Sequence, residues 1–93
     1  MNIKCVCGSG LGSSLLMEIN VKSVLDSMGI QYESVEHTNI SSFSKEGVDL
    51  IVVGADVAPA LDFPEEDKII LTNILSKQEL EEKLQKYFEN KNK

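Results

Sequence analysis

The sequence predicts an α/β fold, in which a parallel β-sheet is flanked by helices. Strand-like apolar runs alternate with helical or loop segments, which is the order that parallel strands joined by right-handed crossovers require. One of these runs, residues 49–54, is unbroken and rich in β-branched side chains, as is typical of a strand buried on both faces. The chain has 93 residues, of which 42% are hydrophobic, so we expect a single domain, residues 1–93, around one modest core.

The first half of the chain contains two predicted strands and one predicted helix. Residues 3–6 form a short apolar run typical of a buried strand, and residues 30–36 have the mixed pattern of an edge strand. Between them, apolar residues at helical spacing predict a helix over about residues 14–28. Ser13 or Ser14 is expected to cap its start, and Gly29 is typical of the position after a helix end.

The second half contains two more predicted strands, residues 49–54 and 68–72, and a closing helix. Residues 55–67 include two prolines and are predicted to form a loop with a helical turn near residues 57–61. The closing helix begins at a capping-box motif, in which Ser76 and Glu79 are expected to bond each other's backbone N–H groups. Ligands of parallel sheets bind beyond the carboxyl ends of the strands, and Cys7 lies at the end of the first strand.

Composition excludes several classes of function. The formal net charge is −6 and the chain has no arginine, whereas nucleic-acid-binding proteins present clustered basic residues. No apolar run approaches the roughly 20 residues of a membrane-spanning helix, and the first residues lack the apolar stretch of a secretory signal. Two cysteines in Cys-x-Cys spacing and a single histidine suit neither a disulfide nor a zinc site. We therefore expect a cytoplasmic protein that binds no metal, cofactor or nucleic acid.

The most informative segment is the glycine-rich stretch that follows Cys7. It contains, in order, Gly8, Ser9, Gly10, Leu11, Gly12, Ser13 and Ser14. Glycines let the backbone N–H groups of such a loop converge on an anion, and the following helix adds partial positive charge at its N-terminus. A thiol at this place is expected to be favoured as its thiolate. The segment therefore predicts a cysteine that carries or attacks a phosphoryl group.

Other phosphate-binding motifs fit this segment poorly. The dinucleotide motif Gly-x-Gly-x-x-Gly would need a glycine at Ser13, and the Gly-Lys-Ser/Thr ending of a nucleotide phosphate loop is absent, because no lysine lies between Cys7 and Met17. A cysteine phosphatase needs an arginine that grips the phosphate with two hydrogen bonds. Since the chain has no arginine, hydrolysis is disfavoured and a phosphoryl carrier is the better interpretation.

The first strand, the Cys-Gly-x-Gly-x-Gly-Ser-Ser segment and the helix after it resemble the IIB component of the phosphoenolpyruvate-dependent sugar phosphotransferase system (PTS). The ascorbate type is the nearest branch, and the galactitol and lactose/chitobiose types are more distant. The resemblance implies a four-stranded parallel sheet of order 2-1-3-4 flanked by helices, a flavodoxin/phosphatase-I-like three-layer sandwich. It also implies a phosphotransferase component that accepts a phosphoryl group from a histidine of IIA and passes it to a sugar, with ascorbate as a candidate, during uptake through the IIC membrane permease.

The resemblance also assigns roles to residues of this sequence. It makes Cys7 the phosphocysteine, and the segment from Gly8 to Ser14 the cradle of its phosphoryl group. The sequence departs from the family pattern at Ser9 and Leu11, where many members have Asn or Gln. A leucine side chain cannot donate a hydrogen bond, so Leu11 is expected to contact a docking partner.

Two alternative functions stay open from the sequence. One is a small cysteine phosphatase or arsenate-reductase-like enzyme, and the other is a stand-alone regulatory adaptor of the same fold. Among the remaining residues with reactive side chains, Cys5 is expected to belong to the core, and His37 to lie at the surface or in the edge strand without a catalytic role. Asp56 follows the third strand near the expected site, where solvation of the loop is the simpler interpretation.

Overall fold

A computed structural model describes residues 1–8 and 11–91 of the chain, and only the backbone of Leu11 and Gly12. The strands are β1 (Asn2–Cys7), β2 (Ser34–Asn39), β3 (Leu50–Gly54) and β4 (Lys68–Leu71), and the helices are α1 (Leu11–Met28) and α2 (Lys77–Lys91). Two short 3-10 turns, Ala58–Ala60 and Glu65–Asp67, lie between β3 and β4. The predicted sequence of strands and helices is thus confirmed.

The four strands form one parallel sheet in the order β2-β1-β3-β4, which confirms the predicted fold class. All five residues of β3 are buried, since this strand pairs with both β1 and β4. β2 lies at the edge of the sheet, as its mixed pattern predicts. Because every strand runs in the same direction, Cys7 at the end of β1 and Gly54 at the end of β3 lie at the same edge of the sheet.

Both helices pack on one face of the sheet, where the larger core lies. Alternate residues of a strand point to opposite faces, so Ile3, Cys5 and Cys7 face the helices while Val6 faces away. The helices contribute seven buried side chains to this core: Met17, Val21, Val24, Leu25, Leu80, Leu84 and Tyr87. This packing places α1 over β1 and β2.

The opposite face of the sheet is covered by loops and the 3-10 turn Ala58–Ala60. Its smaller core consists of Val6, Ile51, Val53, Val57, Ala58 and Leu61. The third layer of the sandwich is therefore made without a regular α-helix among the described residues. Pro59 fits within the 3-10 turn because the N–H that proline lacks would have no partner at the start of a turn.

The start of α1 differs from the sequence prediction. The helix begins at Leu11, three residues before the predicted start at residue 14. Ser13 and Ser14 consequently lie inside the first turn, and the prediction that one of them caps the helix is wrong. The periodic apolar residues identify the buried face of a helix, but small and polar residues in its first turn give no periodic signal.

The start of β2 also differs, because the strand begins at Ser34 rather than at residue 30. Ile30 and Tyr32 pack against the edge of the helix-side core while the chain passes from α1 to the sheet. The N–H of Glu33 donates to the carbonyl of Met1 at 2.9 Å, just before regular pairing with β1 begins. The apolar residues of this connection between α1 and β2 therefore follow a strand-like pattern although they lie outside the strand.

Candidate functional site

Cys7 lies in the wall of a cavity of about 160 Å³ at the carboxyl edge of the sheet. The cavity is lined by Val6, Cys7, Gly8, Ser13, Met17, Gly54, Asp56, Val57 and Ile74. Cys7 is only 6% exposed, so its side chain is reached through this cavity rather than from open surface. Since one water molecule occupies about 30 Å³ of liquid, the cavity has room for a group larger than water.

The chain segments at the ends of β1, β3 and β4 meet around the cavity, and backbone hydrogen bonds hold each of them in place. The carbonyl of Cys7 accepts from the N–H of Ile40 at 3.1 Å, which ties the end of β1 to the segment after β2. The N–H of Ala55 donates to the carbonyl of Leu71 at 3.0 Å, and that of Val57 to the carbonyl of Gly54 at 3.1 Å. The cavity wall is therefore built from the ends of three neighbouring strands.

The first turn of α1 forms another part of the wall, through Ser13. Backbone N–H groups in the first turn of a helix have no partner within the helix, and they carry partial positive charge. An anion beside this turn is stabilised by both effects. The early start of α1 strengthens this arrangement, because it brings the helix to within four residues of Cys7 in the chain.

The described part of the chain brings together some of the predicted cradle residues. Cys7, Gly8 and Ser13 line the cavity, and Ser14 is fully buried one position further along α1. The backbones of Leu11 and Gly12 form the first two positions of α1. Ser9 and Gly10 were also predicted to belong to the cradle, and they lie outside the described residues.

Six residues of the wall were given no role at the site from the sequence: Val6, Met17, Gly54, Asp56, Val57 and Ile74. A Cβ atom added to Gly54 would lie 2.7 Å from Oδ1 of Asp56 and 3.1 Å from Cγ2 of Ile74. The absent side chain of Gly54 thus lets Asp56 and Ile74 approach the strand end. A glycine at the end of the strongest strand is a signal of such close approach.

Cys5 differs from Cys7 although both side chains face the helices. Cys5 is completely buried, and burial, together with the negative charge of Glu18, raises the pKa of its thiol to about 12. A thiol that does not ionise at neutral pH is a poor nucleophile. This supports the prediction that Cys5 is a core residue.

His37 joins the edge strand to α1. Its Nδ1 lies 2.8 Å from Oε1 of Glu18, whose other carboxylate oxygen accepts from Lys22 at 3.2 Å. Partial burial opposes ionisation of Glu18, but its hydrogen bonds with His37 and Lys22 outweigh burial and lower its pKa. These contacts attach β2 to the helix above the cavity, and His37 itself does not line the cavity.

A family model described as "PTS system, Lactose/Cellobiose specific IIB subunit" matches residues 2–86. The chain belongs to the PTS IIB family. IIB domains are phosphotransferase components with a phosphocarrier role in sugar uptake, and they generally work with IIA and IIC components. The IIB part of the resemblance is thereby confirmed, whereas the match does not support its ascorbate branch. No curated protein matches the chain.

The structure contains no membrane-crossing helix within residues 1–8 and 11–91, since none there combines sufficient length with sufficient apolar character.

In this PTS IIB chain, Glu79 holds the β4–α2 loop (residues 72–76), which carries Ile74 to the cavity. Its carboxylate accepts the N–H groups of Thr72 and Asn73 at 2.8 and 2.9 Å, and it pairs with Lys83 at 3.0 Å. One of the two predicted capping-box bonds is confirmed, because Oγ of Ser76 accepts from the N–H of Glu79 at 3.2 Å. The return bond is absent within the described chain, because the carboxylate is engaged by the loop.

We expect the stability of this IIB chain to fall in acid through Glu79. Its backbone hydrogen bonds to Thr72 and Asn73, and then Lys83, lower its pKa from 4.5 to about 2. A lowered folded-state pKa contributes stability above pH 4.5 that is lost as the pH falls towards 2. Glu79→Gln should lower the urea midpoint at neutral pH and flatten its decline in this acid range.

The matched control for this prediction is Glu81→Gln, which removes the same charge from an exposed position on α2. The pH dependence of the urea midpoint in this variant should parallel that of the wild type. A Glu79→Gln variant that kept the full wild-type decline between pH 4.5 and 2 would contradict the assignment to the Glu79 carboxylate.

Large apolar side chains are exposed on two of the elements that line the cavity. Leu15, Leu16 and Ile19 on α1 are 42%, 47% and 52% exposed, and Leu75 in the β4–α2 loop is 58% exposed. The three α1 residues are neighbours on the helix surface, since residues three and four apart lie side by side. Because α1 and the β4–α2 loop both contribute to the cavity wall, we refer to these four residues as the apolar rim.

Proposed function

We propose that this IIB chain is a phosphocysteine carrier, with Cys7 as the residue that accepts a phosphoryl group from a phosphohistidine of IIA and passes it to a sugar bound by IIC. The observation that carries this proposal is the position of Cys7 in a cavity whose wall includes the first turn of α1. Gly8, Ser13 and the amino-terminal backbone of α1 are proposed to cradle the phosphoryl group, together with Ser9, Gly10 and Ser14.

The proposed chemistry consists of two in-line displacements at one phosphorus atom. In the first, the Cys7 sulfur attacks the phosphohistidine; an S–P bond forms, the N–P bond breaks, and the thiol proton goes to the released imidazole. In the second, a sugar hydroxyl oxygen attacks; an O–P bond forms, the S–P bond breaks, and the hydroxyl proton restores the thiol. Both steps depend mainly on positioning and on stabilisation of the phosphoryl oxygens, which backbone N–H groups supply without an arginine.

The apolar rim supports a carrier that must dock against proteins. Exposed apolar residues grouped around a site mark surfaces that contact partners. Leu15, Leu16 and Ile19 lie on the helix, and Leu75 on the loop, that also contribute to the cavity wall, so we propose that a partner covering the rim also excludes water from the phosphoryl group. We propose that IIA and IIC use this surface in turn, and that Leu11 also contacts them. An interface used alternately is expected to be small and transient.

The sugar is proposed separately, because substrate choice in such systems lies mainly in IIC. The matched family model names lactose and cellobiose in its description, so we propose a sugar of that type, with ascorbate as the competing candidate from the loop resemblance. Membrane vesicles containing a lactose/cellobiose-type IIC or an ascorbate-type IIC can be supplied with the phosphorylated chain. Faster loss of the phosphoryl group to the ascorbate system would overturn the proposed sugar.

The carrier proposal is tested by incubating the chain with a phosphorylated IIA protein of the lactose/cellobiose type. Intact-mass spectrometry should find one added phosphoryl group, and peptide mapping under conditions that preserve thiophosphate should place it on Cys7. An ordinary aryl phosphate should be turned over negligibly. Brisk hydrolysis of the aryl phosphate would favour a phosphatase, and binding of IIA without any adduct would favour an adaptor.

A further inference from the structure

We infer that Asp56 controls how readily the phosphorylated cysteine gives up its phosphoryl group. This inference rests on the proposed carrier function of Cys7. Asp56 and Cys7 line the same cavity, one after the end of β3 and the other at the end of β1. The negative charge of Asp56 would destabilise the phosphorylated form relative to the unmodified thiol, and so make the phosphorylated chain a stronger phosphoryl donor.

The position of the Asp56 carboxylate is the first argument. Oδ1 of Asp56 lies 2.7 Å from the place that a Cβ of Gly54 would occupy, so the carboxylate lies over the end of β3. Only a glycine at that position leaves room for it. Among the described residues, no hydrogen bond or ion pair engages this carboxylate, so its charge is not neutralised by a neighbour.

The composition of the cavity wall is the second argument. Apart from Asp56, the lining side chains are apolar or uncharged. A phosphoryl group on Cys7 would therefore place additional negative charge beside Asp56 without a cationic side chain in the described wall to offset the repulsion. Asp56 is itself exposed, so water weakens this repulsion, but like charges a few ångströms apart still repel measurably at a protein surface, where the effective dielectric is below that of bulk water.

Such repulsion has a use in a carrier. Backbone N–H groups and the first turn of α1 attract the phosphoryl group, and attraction alone would hold the thiophosphate too firmly to be passed on. A fixed opposing charge lowers the affinity of the cavity for the phosphoryl group without removing the donors that position it. The balance between attraction by the backbone N–H groups and repulsion by Asp56 would keep the free-energy changes of the two transfer steps similar.

The test is the equilibrium of phosphoryl exchange with IIA, measured without IIC or sugar. Phosphorylated IIA of the lactose/cellobiose type is mixed with the chain until both phosphoproteins reach constant levels, which intact-mass spectrometry quantifies. We expect Asp56→Asn to raise the fraction of phosphorylated chain, with an equilibrium constant about tenfold larger, equivalent to about 1.4 kcal/mol. Asp56→Glu keeps the charge and should stay within about twofold of the wild type.

Asp62→Asn is the matched control, since it removes an equal charge from an exposed side chain that pairs with Lys45 away from the cavity. Its equilibrium constant should equal that of the wild type. An unchanged constant in Asp56→Asn, or an equal rise in Asp62→Asn, would overturn the inference while leaving the carrier function intact. A slower approach to an unchanged equilibrium in Asp56→Asn would also overturn it, and would make Asp56 a proton acceptor instead. A wild-type chain that accepts no phosphoryl group would overturn the carrier function itself.

Discussion

Replacing Cys7 with serine is expected to abolish phosphoryl acceptance from phosphorylated IIA. A serine hydroxyl in the same cavity is a far weaker nucleophile than a thiol, because a hydroxyl is much less acidic and its oxygen is less nucleophilic than sulfur. The substitution changes little volume at a side chain that is 6% exposed and faces the cavity, so the fold should persist. The measurement is the fraction of chain carrying a phosphoryl group after incubation with the phosphorylated IIA.

Cys5→Ala provides the matched control for this experiment. Cys5 occupies the same face of β1 two residues earlier, but it is completely buried and its thiol has a pKa of about 12. The variant should lose about 1 kcal/mol of stability and accept the phosphoryl group at nearly the wild-type rate. The opposite ranking, with acceptance lost in Cys5→Ala and retained in Cys7→Ser, would refute Cys7 as the carrier residue.

The fold was predictable because its strongest signals are local. Residues 50–53 are four consecutive apolar residues, three of them β-branched, which is typical of a strand buried on both faces, and they lie in β3. The starts of β2 and α1 were less predictable, because the residues there have patterns typical of other structures. Ile30 and Tyr32 look like strand residues although they cover the edge of the core before β2 begins. The first turn of α1 contains glycine and serine, which are typical of loops and caps, yet it is helical.

Only the part of the candidate site whose residues are close together in the sequence could be predicted. Cys7, Gly8 and Ser13 are near one another in the sequence, so the motif alone groups them. Asp56 and Ile74 reach the same cavity because β3 and β4 follow β1 in the sheet, an order that the family resemblance implied but that the residue patterns alone do not give. The hydrogen bonds from Thr72 and Asn73 to Glu79 depend likewise on where the loop and α2 meet. The pairing of strands that are distant in the sequence therefore determines which residues after β3 and β4 join the site.

Gly54→Val is expected to impair phosphoryl transfer far more than it impairs folding. A Cβ at position 54 would lie 2.7 Å from Oδ1 of Asp56 and 3.1 Å from Cγ2 of Ile74, so both side chains must move and the added methyl groups enter the cavity. Overpacking of this kind costs about 1–3 kcal/mol, whereas misplacing a reacting group by about 1 Å can slow a reaction roughly 100-fold. The initial rate of phosphoryl acceptance from IIA and the urea midpoint measure the two effects.

Val53→Ile separates loss of cavity space from general overpacking, because it adds buried volume to the neighbouring residue of the same strand. Val53 faces the loop-side core and is absent from the cavity wall, so this variant should lose comparable stability and keep the wild-type rate of acceptance. Equal slowing in both variants would mean that transfer depends on the stability of β3 as a whole. Slowing confined to Gly54→Val would mean that the space beside Gly54 is where the phosphoryl group is received, since only that variant fills it.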